Sequence, residues 1–275
     1  MGSLKRSSAA LRAMAAPMKS TLVTALASAT LLVAVSPTAK ADAFLSLQNG
    51  AITKSCDNST AAGVAACVAN GFNTVLGGSA IGFAGLVGGY SVFDLALVSN
   101  APGNPAMAFA TDTKTAISNI SAGATALTVL FAVNNFALPA GSPLTASASQ
   151  SGTFAGALAG SSQNFTAWAN ALNTLGAGPG NGTVVTTPLC IAAADAPPAQ
   201  ACSQQSNPVL FTRTGNFALN GREIITLSQG GIANFTGAIV VTPSPTTVPE
   251  PGSIVLVATG LFGLVGGRRV FRRKA

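Results

Sequence analysis

The chain has 275 residues, 48% hydrophobic and only 8% charged, a composition that excludes a charge-driven disordered polymer. Its formal charge of +7 would suit nucleic acid if it formed a patch. Instead the basic residues gather at the two ends, as Lys5, Arg6, Arg12, Lys19 and Lys40 and as Arg268, Arg269, Arg272, Arg273 and Lys274. Between them Lys54, Lys114, Arg213 and Arg222 face Asp42, Asp57, Asp94, Asp112, Asp195 and Glu223, so the middle is slightly acidic and no nucleic-acid partner is expected.

From Met18 the chain reads MKSTLVTALASATLLVAVSPTAKADAF. Lys19 precedes an apolar stretch from Leu22 to Val35, and the small-residue motif Ala39-Lys40-Ala41 follows. That order is the layout of a secretory signal peptide, so residues 1–41 are expected to be removed by cleavage before Asp42, with a second option after Ala43. Met1 and Met18 are both possible starts.

Residues 42–241 read as a secreted β-rich domain. Leu127, Val129, Phe131 and Val133 fall on one strand face, and so do Ile225 with Leu227 and Ile239 with Val241. In Ser91–Val98, Phe93, Leu95 and Leu97 are expected to point one way and Asp94 the other. Turn candidates are Asn134-Asn135, Pro139–Gly141, Asn181-Gly182 and Asn220-Gly221, the last being the strongest hairpin signal. FTAWANALNTL, residues 165–175, fits either a helix or a strand with Trp168 packed inward. Val75–Gly89 is apolar but glycine-rich, which favours strands and a tight turn over a membrane span. Short strands separated by turns predict an all-β fold, a β-sandwich or jelly-roll-like domain.

Four cysteines fall in two local pairs, Cys56 with Cys67 and Cys190 with Cys202. Behind a signal peptide they are expected to form disulfides; four cysteines allow three connectivities, and the short separations favour the two local loops. Metal would want closer cysteines or histidine partners, and the chain has no histidine. Serine or cysteine nucleophiles therefore have no imidazole base. Paired carboxylates could still hydrolyse glycosides, but the pool is Asp94, Asp112, Asp195 and Glu223 with Asp42 and Asp57, and Asp94 and Asp112, the latter beside Lys114, read as solvated strand and loop residues. No catalytic, cofactor or metal site is expected. Five Asn-x-Ser/Thr sequons, at Asn58, Asn119, Asn164, Asn181 and Asn234, read as strand-edge and turn residues.

Residues 242–248 form a Pro/Thr linker of extended conformation. The last segment, residues 249–275, begins with Pro249-Glu250-Pro251, continues through an apolar run and ends in the arginine cluster. Gly252 to Gly267 is short beside the roughly 20 residues a spanning helix needs, and the arginines hold their end on the cytoplasmic side. Pro249, Glu250, Pro251, Arg268 and Arg269, in that order around a short apolar helix, resemble the PEP-CTERM sorting signal of Gram-negative bacteria. The resemblance implies a transient inner-membrane anchor, recognition by an exosortase, and release to the cell surface or extracellular space. FATDTK at 109–114, FAVNNFALPAG at 131–141 and FTRTGNF at 211–217 are also similar to members of that group. The implied role is a non-enzymatic surface or matrix protein associated with exopolysaccharide and biofilm. The alternatives are a lectin-like module, for which only Trp168 and Tyr90 join the phenylalanines as rings to stack on sugars, and a carboxylate-based glycoside hydrolase.

Overall fold

In chain order the strands are β1 (Ala43–Asn49), β2 (Ile52–Asp57), β3 (Phe72–Thr74), β4 (Ala80–Val87), β5 (Tyr90–Ser99), β6 (Ala108–Asn119), β7 (Thr125–Phe136) and β8 (Leu144–Ala155). They continue as β9 (Ser162–Asn170), β10 (Thr183–Thr186), β11 (Cys190–Ile191), β12 (Ala199–Gln205), β13 (Val209–Phe211), β14 (Phe217–Leu227) and β15 (Ile232–Pro243). One helix, α1 (Ala61–Ala69), follows β2. The computed structural model describes residues 40–156, 160–176, 178–193 and 199–244.

All strand pairs are antiparallel and make two sheets. One runs β10-β9-β14-β7-β1-β2, with β11 added to β9; the other runs β12-β8-β15-β6-β5-β4-β3, with β13 added to β8. Consecutive strands β6 and β7, β8 and β9, and β14 and β15 lie in opposite sheets, so the chain repeatedly crosses the sandwich. The alternating faces seal against each other. Leu127, Val129, Phe131 and Val133 are fully buried, and so are Ile225, Leu227, Ile239 and Val241, as their period of two predicts. The expected all-β class holds, and so does strand structure for Val75–Gly89, where β4 ends in a turn.

Three local expectations are corrected. Asn220-Gly221 is no hairpin turn; it lies within β14, paired on both sides. A Cβ on Gly221 would sit 2.3 Å from Phe131 and 2.9 Å from Phe165. The glycine is there to admit two aromatic rings, which stack at 6.1 Å. Asn134-Asn135 likewise stays inside β7, where Asn135 takes φ +63° and the register against β14 shifts. Phe93 points outward and is 73% exposed. Phe93 and Asp94 together oppose one residue of β4, and that bulge breaks the alternation.

FTAWANALNTL resolves as strand through Asn170, with Trp168 fully buried. Helix α1 has no sequence-level apolar stripe and buries only Cys67. Nine residues make a marginal helix alone; this one is started by the Thr60 hydroxyl accepting from the Gly63 N–H and held by the Cys56–Cys67 bond to β2. The expected linker begins two residues late, because Thr242 and Pro243 still pair with β8.

Candidate functional site

The second disulfide joins Cys190 on β11 to Cys202 on β12. Those strands belong to opposite sheets, so the bond closes one edge of the sandwich. Both cystines are the local pairings favoured by spacing. No free cysteine occurs.

At the middle of the sandwich the structure gathers charged groups that sequence reasoning placed in solvent. Along β6, Ala108, Ala110, Asp112 and Lys114 share the inward face. Across the gap, Glu223 lies on the inward face of β14, between Gly221 and Ile225. Asp112, Lys114 and Glu223 are all fully buried. The Lys114 Nζ donates to Asp112 Oδ2 and also meets Glu223 Oε2, so one ammonium bridges carboxylates from the two sheets.

The remaining oxygens are held too. The Gly237 N–H on β15 donates to Asp112 Oδ1 at 3.1 Å, and Gln163 Nε2 on β9 donates to Glu223 Oε1. Gly237 has no room for a side chain: a Cβ would lie 2.8 Å from Asp112 Oδ1 and 2.9 Å from the Phe165 ring. The cluster is therefore walled by aromatics and reached by dedicated donors. Burial pushes Glu223 up to about 7, with the Asp112 charge adding to that and Lys114 opposing it. For Lys114, burial works against the charged form, but the two carboxylates outweigh it and hold the ammonium above its ordinary value.

Each charge sealed between the sheets costs several kcal/mol in desolvation, which only close pairing offsets. The expectation of a solvated Asp112 beside Lys114 is thus overturned; Asp94 is exposed as expected. The missed signal was the continuation of the Ala108-Ala110 face through 112 and 114.

Other expected site residues separate cleanly. Trp168 and Tyr90 are fully buried, and the Tyr90 hydroxyl accepts from the Leu227 N–H at 3.0 Å and donates to the Thr125 carbonyl. Neither offers a ring to a sugar. Asn58 and Asn119 are buried hydrogen-bond hubs rather than surface residues. Asn58 accepts from the Ala43 N–H and donates to the Val75 and Gly78 carbonyls; Asn119 donates to the Gly123 and Leu227 carbonyls. Among the described residues no group of three His, Cys, Asp or Glu is disposed to hold a metal.

At the expected cleavage point, Ala41 is buried and the Asp42 N–H donates to Asn134 Oδ1 at 2.9 Å. Ala39 lies outside the described residues, as do Pro249, Glu250, Pro251, Arg268 and Arg269. No helix among the described residues is long and apolar enough to cross a membrane. The expected spanning segment falls beyond them.

No curated protein matches the chain. Residues 247–273 match the model of the PEP-CTERM protein-sorting motif. The chain is therefore a protein that carries a PEP-CTERM sorting motif, which marks it for export and for an exosortase.

Proposed function

We propose that this is a non-enzymatic surface or matrix protein that an exosortase releases from the inner membrane and that associates with exopolysaccharide in a biofilm. The sorting motif at 247–273 carries the reading. In it, residues 1–41 act as a signal peptide and the apolar run of 249–275 as a brief membrane anchor. Strand β15 ends at Pro243, and the six residues from there to Pro249 reach at most about 20 Å. The folded body would thus stand against the bilayer until the tail is cut.

The outer face of the larger sheet supports a passive polymer-binding role. A shallow groove of about 410 Å³ there sets the hydroxyls of Thr113, Thr115, Ser151, Thr153 and Ser203 and the Asn234 amide among apolar atoms. Such a surface offers many weak hydrogen bonds and no reacting pair. The lectin reading loses Trp168 and Tyr90, which are inside, and keeps only an exposed phenylalanine such as Phe93. A carboxylate hydrolase fares no better: the paired carboxylates at Asp112 and Glu223 are sealed from substrate.

The test is localisation in an exosortase-bearing host. The wild-type chain should leave the cell lacking residues 1–41 and the basic tail, whereas a chain with Pro249, Glu250 and Pro251 all replaced by alanine should stay in the membrane fraction. Wild-type protein recovered from cytosol with both ends intact would reject the reading.

A further inference from the structure

The sealed cluster holds more than a salt bridge needs. An ammonium lies against two carboxyl groups, all three side chains being fully buried. Each carboxylate has its second oxygen tied to a separate donor, the Gly237 N–H for Asp112 and Gln163 Nε2 for Glu223. Phe165 walls the site beside Gly237, and its ring stacks with Phe131. This is an amine, an acyl carbon, a proton acceptor and an oxyanion donor, fixed at contact distance with bulk water excluded.

We propose that Lys114 and Glu223 condense to an intramolecular amide joining the two sheets, with Asp112 as the proton acceptor and Gln163 as the donor to the developing oxyanion. The geometry distributes the roles. Lys114 and Asp112 sit two residues apart on one strand, whereas Lys114 and Glu223 face each other across the core. Glu223 is also the carboxyl that burial disposes to hold a proton, and a neutral acid accepts a nucleophile where a carboxylate anion does not.

The steps balance without a co-reactant. The Lys114 ammonium passes one proton to the Asp112 carboxylate, leaving a neutral amine. Its lone pair forms the Nζ–Cδ bond to protonated Glu223, and the oxygen that gains charge is held by Gln163 Nε2. Asp112 then relays a proton to the departing hydroxyl as it takes the second one from Nζ. The Cδ–O bond breaks, and one water leaves. The Lys114 ammonium, the Asp112 carboxylate and the Glu223 carboxylic acid become an amide, an Asp112 carboxylic acid and water, so the interior is left uncharged. Removing two buried charges favours the product, because each ion costs several-fold more to bury than a paired amide.

The bond would complement the Cys190–Cys202 bond, which ties the same two sheets at their edge. Unlike a disulfide it does not break on reduction. It does not depend on the sorting reading, since it forms from this chain's own residues.

The experiment is peptide mapping of the full-length chain, purified, reduced and denatured before proteolysis. The expected result is one branched species containing Lys114 and Glu223, lighter by the mass of one water than the two peptides together, with no cleavage after Lys114 by trypsin. Asp112→Asn should restore separate peptides while far-ultraviolet circular dichroism still reports a β fold. Wild-type peptides recovered apart, with a free Lys114 amine, would overturn the proposal whatever the variants do. A Lys114–Asp112 bond would overturn the assignment of Glu223 as the acyl group.

Discussion

Two stretches of the same core behave in opposite ways. Towards one end of β14, Ile225 and Leu227 pack among Leu127, Val129 and other aliphatic side chains, where volume and apolarity are the only requirements. Two residues earlier, at Glu223, the strand enters a space in which Lys114, Asp112 and Glu223 each hold two specific partners. The apolar stretch tolerates similar substitutes because burial is non-directional. The charged stretch is all or none, since removing any member strands the others without solvent. The lesson is that this sandwich is specified at its centre by polar geometry and at its flank by area.

The sharpest way to break the contrast is Lys114→Ala. It leaves two buried carboxylates with no cation, and a loss of roughly 3–5 kcal/mol is expected, read as a fall in the denaturant midpoint. Leu227→Met, a volume-conserving change at the flank, should cost less than about 1.5 kcal/mol. Next in size is Gly221→Ala. Its methyl would meet Phe131 at 2.3 Å, so a cost of up to about 3 kcal/mol follows from overpacking, with the disturbance visible in the aromatic resonances of Phe131 and Phe165.

The smallest effect at the polar centre is on pH. Glu223 sits at about 7 in the folded chain against an ordinary 4.5. Its contribution is therefore complete below 4.5 and is lost as pH rises through 7. Wild-type chains without the amide should weaken by on the order of 2 kcal/mol between pH 5 and pH 8. Linked chains have no Glu223 to titrate and should hold a flat melting temperature across that window.

The burial faces of Leu127–Val133 on β7, Ile225 with Leu227 on β14 and Ile239 with Val241 on β15 were legible because those inward positions are aliphatic or aromatic. Where both faces of a strand are polar, period two shows the alternation without showing its direction. In FATDTKT, threonines alternate with Asp112 and Lys114, and solvent is the ordinary place for charge. Only the partner strand β14, more than a hundred residues away, decides otherwise. Asn220-Gly221 misleads for a related reason: the glycine answers to rings on β7 and β9 and not to its own backbone. Phe93 fails through a bulge, and α1 is hidden because a disulfide supplies what its sequence lacks. The sorting motif, by contrast, was legible as linear order alone, and residues 247–273 match it.

Amine labelling before and after unfolding probes the sealed centre most directly, with Lys54, whose ammonium lies over the Phe83 ring near the surface, as the internal reference. The account predicts that an acylating reagent modifies Lys54 in the native protein and leaves Lys114 untouched, and that Lys114 stays unmodified even in denaturant because its nitrogen is already acylated. Labelling of Lys114 in the native protein at the rate of Lys54 would contradict it.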